Sequence, residues 1–303
     1  MIRSLHLTDV GALLLFLGKS PVNEARTRGS PSSEKGDLLS AIPLLKGCLI
    51  SANKQHSLVY SQQGFVRGLV CLRSCSGPSA CTVEHLLLAP GREGLCFDLL
   101  EKIGFAGDKI RAERVFLRLD SDSLSLDIAK QAGFNQYLTE SLYRLDEVRA
   151  ASPEPSLSLR PKYSADEHGL FRLYNASTPL QVRRAVGMTL GEWCQSRERD
   201  AAREMVSESK GEISAYLRLR LGVMSGQFDI MTELGVDEQQ QLVDYSLTAL
   251  KGRSPIFCPV PEYQQQLQRI LEERGFRLAA SHACLSKQLA VRVREPQLVP
   301  LRA

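Results

Sequence analysis

Two stretches of this chain end in the same way, and that repetition limits the folds open to it. Residues 121–145 carry a helical pattern through Leu126, Ile128 and Ala129, stop at Gly133-Phe134, and continue as an alternating segment to Leu145. Residues 262–289 do the same through Leu267, Ile270 and Leu271, stop at Gly275-Phe276, and alternate to Leu289. A glycine just past a helix accepts the left-handed turn that a side chain resists, and the phenylalanine after it is free to pack back on the helix. The openings match as well. Ile2-Arg3 leads to Asp9 and the apolar run 11–17, and Leu159-Arg160-Pro161 leads to Asp166 and the run 169–174. Each reads as a short strand, an acidic helix cap and a first helix. Matched beginnings with matched ends imply a duplicated unit.

The 303 residues suit two domains of similar size. The segment 149–156, with Pro153 and Pro155 and no apolar periodicity, reads as the linker between residues 1–148 and residues 157–303. Composition excludes several classes. A hydrophobic share of 43% with 24% charged residues is ordinary for globular domains that each bury a core. The net charge of +4 is mild, and basic residues alternate with acidic ones, as in Arg111-Ala112-Glu113-Arg114. Such faces are solvated helix surfaces, so nucleic acid is not an expected partner. No apolar run approaches the ~20 residues that span a bilayer, so no membrane contact is expected. The run 11–17 follows His6 and Asp9 without a cleavage pattern and reads as a buried helix, so the expected location is the cytoplasm. The eight cysteines then read as reduced thiols, and their spacing matches no common metal site.

Along the first half, residues 18–38 read as a mobile loop over a site mouth. Residues 48–52, 56–61, 65–73 and 81–88 read as antiparallel strands, 94–110 as a helix, 114–119 as a strand, 124–132 as a helix and 136–144 as a closing strand. The second half repeats the order, with helices at 166–175 and 182–196 and strands at 203–207, 212–221 and 227–234. A helix at 237–250, a strand at 255–258, a helix at 262–273 and a last strand at 278–288 follow. The fold class is α/β with an α+β mixed sheet: two tandem domains, each a mostly antiparallel sheet with helices on both faces.

This order, with its helix-Gly-Phe ending, resembles the GNAT superfamily of acyl-CoA-dependent N-acetyltransferases across nearly all of both halves. The most specific stretch is Leu86-Leu87-Leu88-Ala89-Pro90-Gly91-Arg92-Glu93-Gly94-Leu95-Cys96. It is similar to the family's strand end L-x-V-x-P and to the loop that opens the following helix. Backbone N–H groups at a helix start carry partial positive charge and suit a pyrophosphate. The resemblance implies that Arg92, Glu93, Gly94, Leu95 and Cys96 hold the pyrophosphate of acetyl-CoA. It implies that the backbone of Leu86, Leu87 and Leu88 holds the pantetheine arm and thioester. The loop after Pro90 is about two residues shorter than the family form, and Cys96 replaces a small residue. In the second half, Asp237 and Glu238 at the helix start repel a pyrophosphate, so that half reads as degenerate.

Acetyl transfer to an amine needs a base and an acid. Glu84 is the candidate base, because family members often place a carboxylate on this strand. His85, in a run of leucines, reads as a core histidine. The tyrosine that the family often places four residues before the Gly of Gly-Phe is replaced by Ala129 and Leu271. Trp193 reads as a packing anchor between helices or halves. The resemblance thus implies transfer of an acetyl group from acetyl-CoA to a primary amine of a small molecule or peptide. The alternative is a non-catalytic tandem module that binds a ligand or a protein.

Overall fold

The computed structural model describes residues 1–28, 55–92, 94–110, 112–147, 158–198, 202–233 and 235–289. The expected strand at 48–52, residues 29–38 of the loop expected at 18–38 and the linker at 149–156 lie outside the described residues.

The first half contains β1 (Ile2–Ser4), α1 (Val10–Leu17), β2 (Val22–Asn23), β3 (Gln55–Gln62), β4 (Phe65–Ser74) and β5 (Ala80–Leu88). It closes with α2 (Leu95–Ile110), β6 (Arg114–Asp120), α3 (Ser125–Gln131) and β7 (Asn135–Leu145). The second half opens with β8 (Arg160–Pro161), α4 (Glu167–Ser177), α5 (Leu180–Val186) and α6 (Leu190–Ser196). It continues through β9 (Arg203–Ser209), β10 (Glu212–Leu221), β11 (Gly226–Thr232), α7 (Val236–Ala249), β12 (Ile256–Pro261), α8 (Gln265–Glu273) and β13 (Arg277–Gln288).

The repetition read from the sequence recurs in atomic detail. Arg3 forks onto Asp9 at 2.6 and 2.5 Å, and Asp9 accepts the His6 amide at 2.9 Å. Arg160 forks onto Asp166 at 2.7 and 2.9 Å, and Asp166 accepts the Tyr163 amide at 2.7 Å. The Arg3 hydrogen bonds are the main cause that lowers the Asp9 pKa to about 2. At the other end, Gly133 has φ +88° and Gly275 φ +87°. The Phe134 amide donates to Ala129 O and the Phe276 amide to Leu271 O, both at 3.0 Å. Both rings are buried. This closes the last carbonyls of α3 and α8 with the same turn.

Two expected elements differ. The helix read over 182–196 is two helices broken at Gly187, where a Cβ would lie 2.5 Å from the Trp193 amide nitrogen. Thr189 and Glu192 then cap α6 reciprocally. The strand read as 255–258 runs on to Pro261, so α8 starts at Gln265 instead of at residue 262.

The larger difference is in the sheet. Instead of two separate sheets, the described residues form one of 13 strands, ordered β1-β3-β4-β5-β6-β13-β7-β12-β11-β10-β9-β8, with β2 beside β5. The last strands are exchanged. β13 of the second half pairs with β6 of the first, from His282↔Asp120 to Gln288↔Arg114. β7 of the first half pairs with β12 of the second, from Leu145↔Ile256 to Glu140↔Pro261. β7 and β13 also pair with each other, antiparallel, along the centre of the molecule.

Each core therefore contains residues from the other half. Ala283, Leu285 and Leu289 pack with Leu99, Leu100, Leu117 and Phe134 under α2 and α3. Tyr143 and Leu145 pack with Leu242, Ile270 and Phe276 under α7 and α8. On the opposite face, α1 seats Leu13 and Phe16 on Val59, Leu69 and Leu87. There α4 and α6 seat Leu170, Tyr174 and Trp193 on Val206.

The exchange makes a direct prediction. Residues 1–148 or 157–303 expressed alone leave the core edge of β6 or β12 bare. Neither half melts cooperatively by circular dichroism, whereas mixing the two restores one cooperative transition. A sharp independent transition in either isolated half contradicts this. Leu285→Ala in the whole chain costs about 2–5 kcal/mol of stability, as expected for a fully buried leucine.

Candidate functional site

The expected coenzyme groove begins where β5 and β6 part. The two strands are parallel neighbours only from Ala80↔Arg114 to Thr82↔Phe116. Glu84 is the reason for the divergence. The β4 partner steps from Cys71 to Leu72 while β5 steps from His85 to Val83, so Glu84 is the extra residue of a β-bulge. Beyond it a wedge opens between Leu86–Leu88 and the end of β6.

Residues 22–26 fill that wedge. Val22 and Asn23 pair antiparallel with Leu88 and Leu87. The Glu24 amide donates to Leu86 O at 2.9 Å, and the Leu86 amide donates to Asn23 Oδ1 at 3.0 Å. On the other side the Arg26 amide donates to Arg118 O of β6 at 2.8 Å. Ala25 is buried in the core beneath. The Arg26 guanidinium forks onto Asp120, with Nε at 3.0 Å from both carboxylate oxygens, and Ser123 Oγ donates to Glu24 at 2.8 Å. Part of the expected mouth loop is thus a strap threaded into the sheet.

The backbone of Leu86, expected to hold the thioester, is bonded to this strap through both its amide and its carbonyl. Leu86 and Leu88 point their side chains into the core under α2, and Leu87 points to the α1 face. In the following turn, the Arg92 amide donates to Ala89 O at 3.1 Å and the Leu95 amide to Arg92 O at 3.0 Å. Arg92 and Gly94 are exposed, and Glu93 lies outside the described residues. Leu95 opens α2. Cys96 is fully buried, and burial pushes its thiol up to about 11.

Glu84 is half-buried and ion-paired with Arg73 at 3.4 Å. His85 is half-buried, not the satisfied core histidine expected from the sequence. Burial, chiefly, lowers its pKa, and its Nδ1 has no hydrogen-bond partner. In the second half, β11 and β12 likewise pair only at Gly226↔Ile256 and Gln227↔Phe257 before parting. Gln264 Nε2 reaches across to Ile230 O at 3.3 Å, and the first turn of α7 carries Asp237 and Glu238. In the first half the strap holds the Leu86 amide and carbonyl, and in the second the helix start is acidic.

A different site lies on the α1-side face of the sheet, between the halves. A cavity of about 230 Å³ has its floor on β6, β7, β11 and β13, and its roof on α4, α5 and α6. Aromatic walls come from Phe116, Tyr137, Tyr174, Trp193, Tyr216 and Tyr263. Trp193 stacks on Tyr174 with centroids 5.4 Å apart, so it does anchor α6 to α4, and it also faces the cavity. Arg197 lies over the Trp193 ring at 5.2 Å and the Tyr216 ring at 5.6 Å.

The floor is ionic. Glu140 is 2% exposed and Asp229 is 7% exposed. Arg28 approaches Glu140 at 3.4 Å and Asp229 at 3.2 Å, Arg118 approaches Glu140 at 3.3 Å, and Arg220 meets Asp229 at 2.6 Å. Burial works against the charged Arg28, but Asp229, Glu140 and Glu198 outweigh it and raise its pKa. Burial works against ionised Asp229 too, but Arg28, Arg220, Arg218 and Arg118 outweigh it and lower its pKa. Both groups stay charged in the interior because each has several opposite neighbours.

None of these floor residues was a candidate from sequence. Phe116, Arg118 and Asp120 alternate with Val115, Leu117 and Leu119, the ordinary mark of a strand with one wet face. Their roof is α4 to α6, far along the chain. The one available signal was a charge inside each apolar strand, Glu140 between Leu138 and Leu142 and Asp229 between Phe228 and Ile230.

Topology and both wedges define the fold of the GCN5-related N-acetyltransferases, the GNAT fold, in a doubled form. The chain is similar to a GCN5-related N-acetyltransferase from Sphaerobacter thermophilus, with 13% identity, a TM-score of 0.58 and 95% of each chain covered. It is also similar to a tandem GNAT protein from the clavulanic acid biosynthesis pathway, with 14% identity, a TM-score of 0.54, 97% of this chain and 99% of that one. A functionally unknown conserved protein from Staphylococcus epidermidis matches with 11% identity and a TM-score of 0.52 over 81% of this chain and 98% of its own. No family model and no curated protein matches the sequence. Among the described residues, no helix is long and apolar enough to cross a membrane.

Three buried or half-buried histidines make stability depend on pH. Burial lowers the pKa of His56, His85 and His282 below the ordinary 6.5. Arg118 adds to the lowering at His282, while Glu140 and Asp120 oppose it. The unfolded chain binds these protons first, so the stability is complete above the ordinary value and is lost as pH falls through it. The melting temperature should drop between about pH 7 and about pH 5, and His85→Gln should flatten the drop. An unchanged slope in that variant refutes the assignment.

Proposed function

We propose that this protein is a non-catalytic GNAT-fold ligand-binding module, with the interdomain cavity as its ligand site. One observation carries the reading: residues 22–26 occupy the wedge of the first half by backbone pairing and by the Arg26–Asp120 fork. An extended cofactor arm lying along β5 would need the Leu86 amide and carbonyl that Asn23 and Glu24 hold. The acidic start of α7 argues against a pyrophosphate in the second half, since the helix dipole there is already complemented. Neither Ala129 nor Leu271 is a proton donor, and Glu84 is not among the residues lining the cavity.

A second reading is transfer of an acetyl group from acetyl-CoA to a primary amine of a small molecule or peptide. It is favoured by the bulge at Glu84, the strand end Leu86–Pro90 and the open surroundings of Gly91 and Gly94, where a Cβ meets nothing within 4 Å. It requires the strap to leave the wedge. Calorimetry of the whole chain with acetyl-CoA separates the two. The module reading expects no heat at millimolar coenzyme. Micromolar binding that Arg92→Glu abolishes, with turnover on a panel of amines, replaces it with the transferase.

A further inference from the structure

A second, smaller pocket lies at the far end of the first half, and its charge is all of one sign. It measures about 110 Å³ and sits between the last turn of α1, the start of β4 and the end of β5. Leu15 and Phe16 of α1, Pro21, Val66 of β4 and Pro90 give it apolar walls. Its polar residues are Lys19 and Arg67, and among the described residues no carboxylate lines it. Local geometry brings Arg67 there. β3 steps from Tyr60 to Ser61 while β4 steps from Gly68 to Val66, so Arg67 is the extra residue of a β-bulge. A bulge re-aims a side chain out of the strand's alternation. The Arg67 guanidinium lies over the half-exposed Phe65 ring, 5.7 Å from its centroid. Arg67 Nε is enclosed and has no partner, so the terminal NH₂ groups are what the side chain offers to a guest. At the end of α1 the carbonyls of Leu14, Phe16 and Leu17 accept the amides of Gly18, Lys19 and Ser20 at 2.9–3.1 Å, so those acceptors are already answered.

Two cations on the rim of an apolar hollow call for a guest with one negative end and one apolar body. We infer that this pocket binds a small organic monocarboxylate, such as a free aromatic acid of one ring. Its carboxylate accepts from the terminal NH₂ groups of Arg67, a fork that matches two carboxylate oxygens, and Lys19 adds a second positive charge. Its body lies on Leu15, Phe16 and Val66. The volume of about 110 Å³ equals the liquid share of roughly four waters, which suits one ring rather than an extended chain. A neutral guest of the same shape gains the apolar contacts and leaves the cations unanswered. An amine of that shape meets two like charges. The inference is independent of the interdomain reading, because the two pockets share no lining residue.

Ligand-observed NMR titration of the whole chain tests this with benzoate, benzyl alcohol and benzylamine. Benzoate should bind at least about tenfold more tightly than benzyl alcohol, the size of one charge-assisted hydrogen bond, and benzylamine more weakly than either. Arg67→Gln should bring benzoate down to the level of benzyl alcohol. Should that variant disturb the bulge, Leu15→Glu tests the site from a position that is 63% exposed and outside the core. It sets an acid on the wall of the pocket, so it should weaken benzoate and strengthen benzylamine. Equal binding of benzoate and benzyl alcohol overturns the inference, as does a preference for benzoate that survives Arg67→Gln. Benzoate binding that Leu15→Glu leaves unchanged also overturns it, since the guest then sits elsewhere. Absence of binding by every probe overturns it too. None of these results bears on the interdomain cavity, whose reading stands or falls by its own experiment.

Discussion

The pairing of β7 with β13 along the middle of the molecule is the contact on which the rest depends. Each strand belongs by sequence to one half and by packing to the other. Leu285 fills the first core, and Leu145 fills the second. The pairing also places Glu140 opposite His282 in the centre of a continuous sheet, with both side chains almost wholly buried. Two sheets joined only by a linker would leave these positions at an edge, wet and free to be charged. Joined in this way, they lie inside, and a carboxylate there persists only because arginines from β6 and from the segment after the strap approach it.

The strap is the second consequence of local geometry. The bulge at Glu84 bends β5 away from β6, and diverging strands leave backbone groups unpaired along the gap. Buried N–H and C=O groups must be satisfied by something. Residues 22–26 do so with backbone pairing on one side, a backbone bond to Arg118 on the other, and the Arg26–Asp120 fork as a clamp. Unpaired strand edges along a gap of this kind accept any extended segment that reaches them. Here the chain supplies that segment itself.

Much of the architecture was legible because it is written locally. Gly133-Phe134 and Gly275-Phe276 mark helix ends through a backbone conformation that glycine alone adopts cheaply. Arg3 with Asp9, and Arg160 with Asp166, mark helix starts. Alternation marks the strands. Helical periodicity does not register the break at Gly187, which comes from the close approach of the Trp193 amide. The strap carries no strand signal in the sequence because Val22-Asn23 is too short to show alternation and its partners, Leu87 and Leu88, lie far along the chain.

The sequence by itself determined the duplicated order of strands and helices, the caps that bound them and the apolar faces that must be buried. Those are properties of neighbours within a few residues, where propensity, period and capping act. Tertiary structure alone decided that the closing strands cross over, that residues 22–26 take the wedge, and that Arg28, Arg118, Glu140 and Asp229 meet. Each of these choices depends on which unsatisfied edge or charge comes within hydrogen-bond reach once the chain has folded. No spacing in a linear chain encodes that distance.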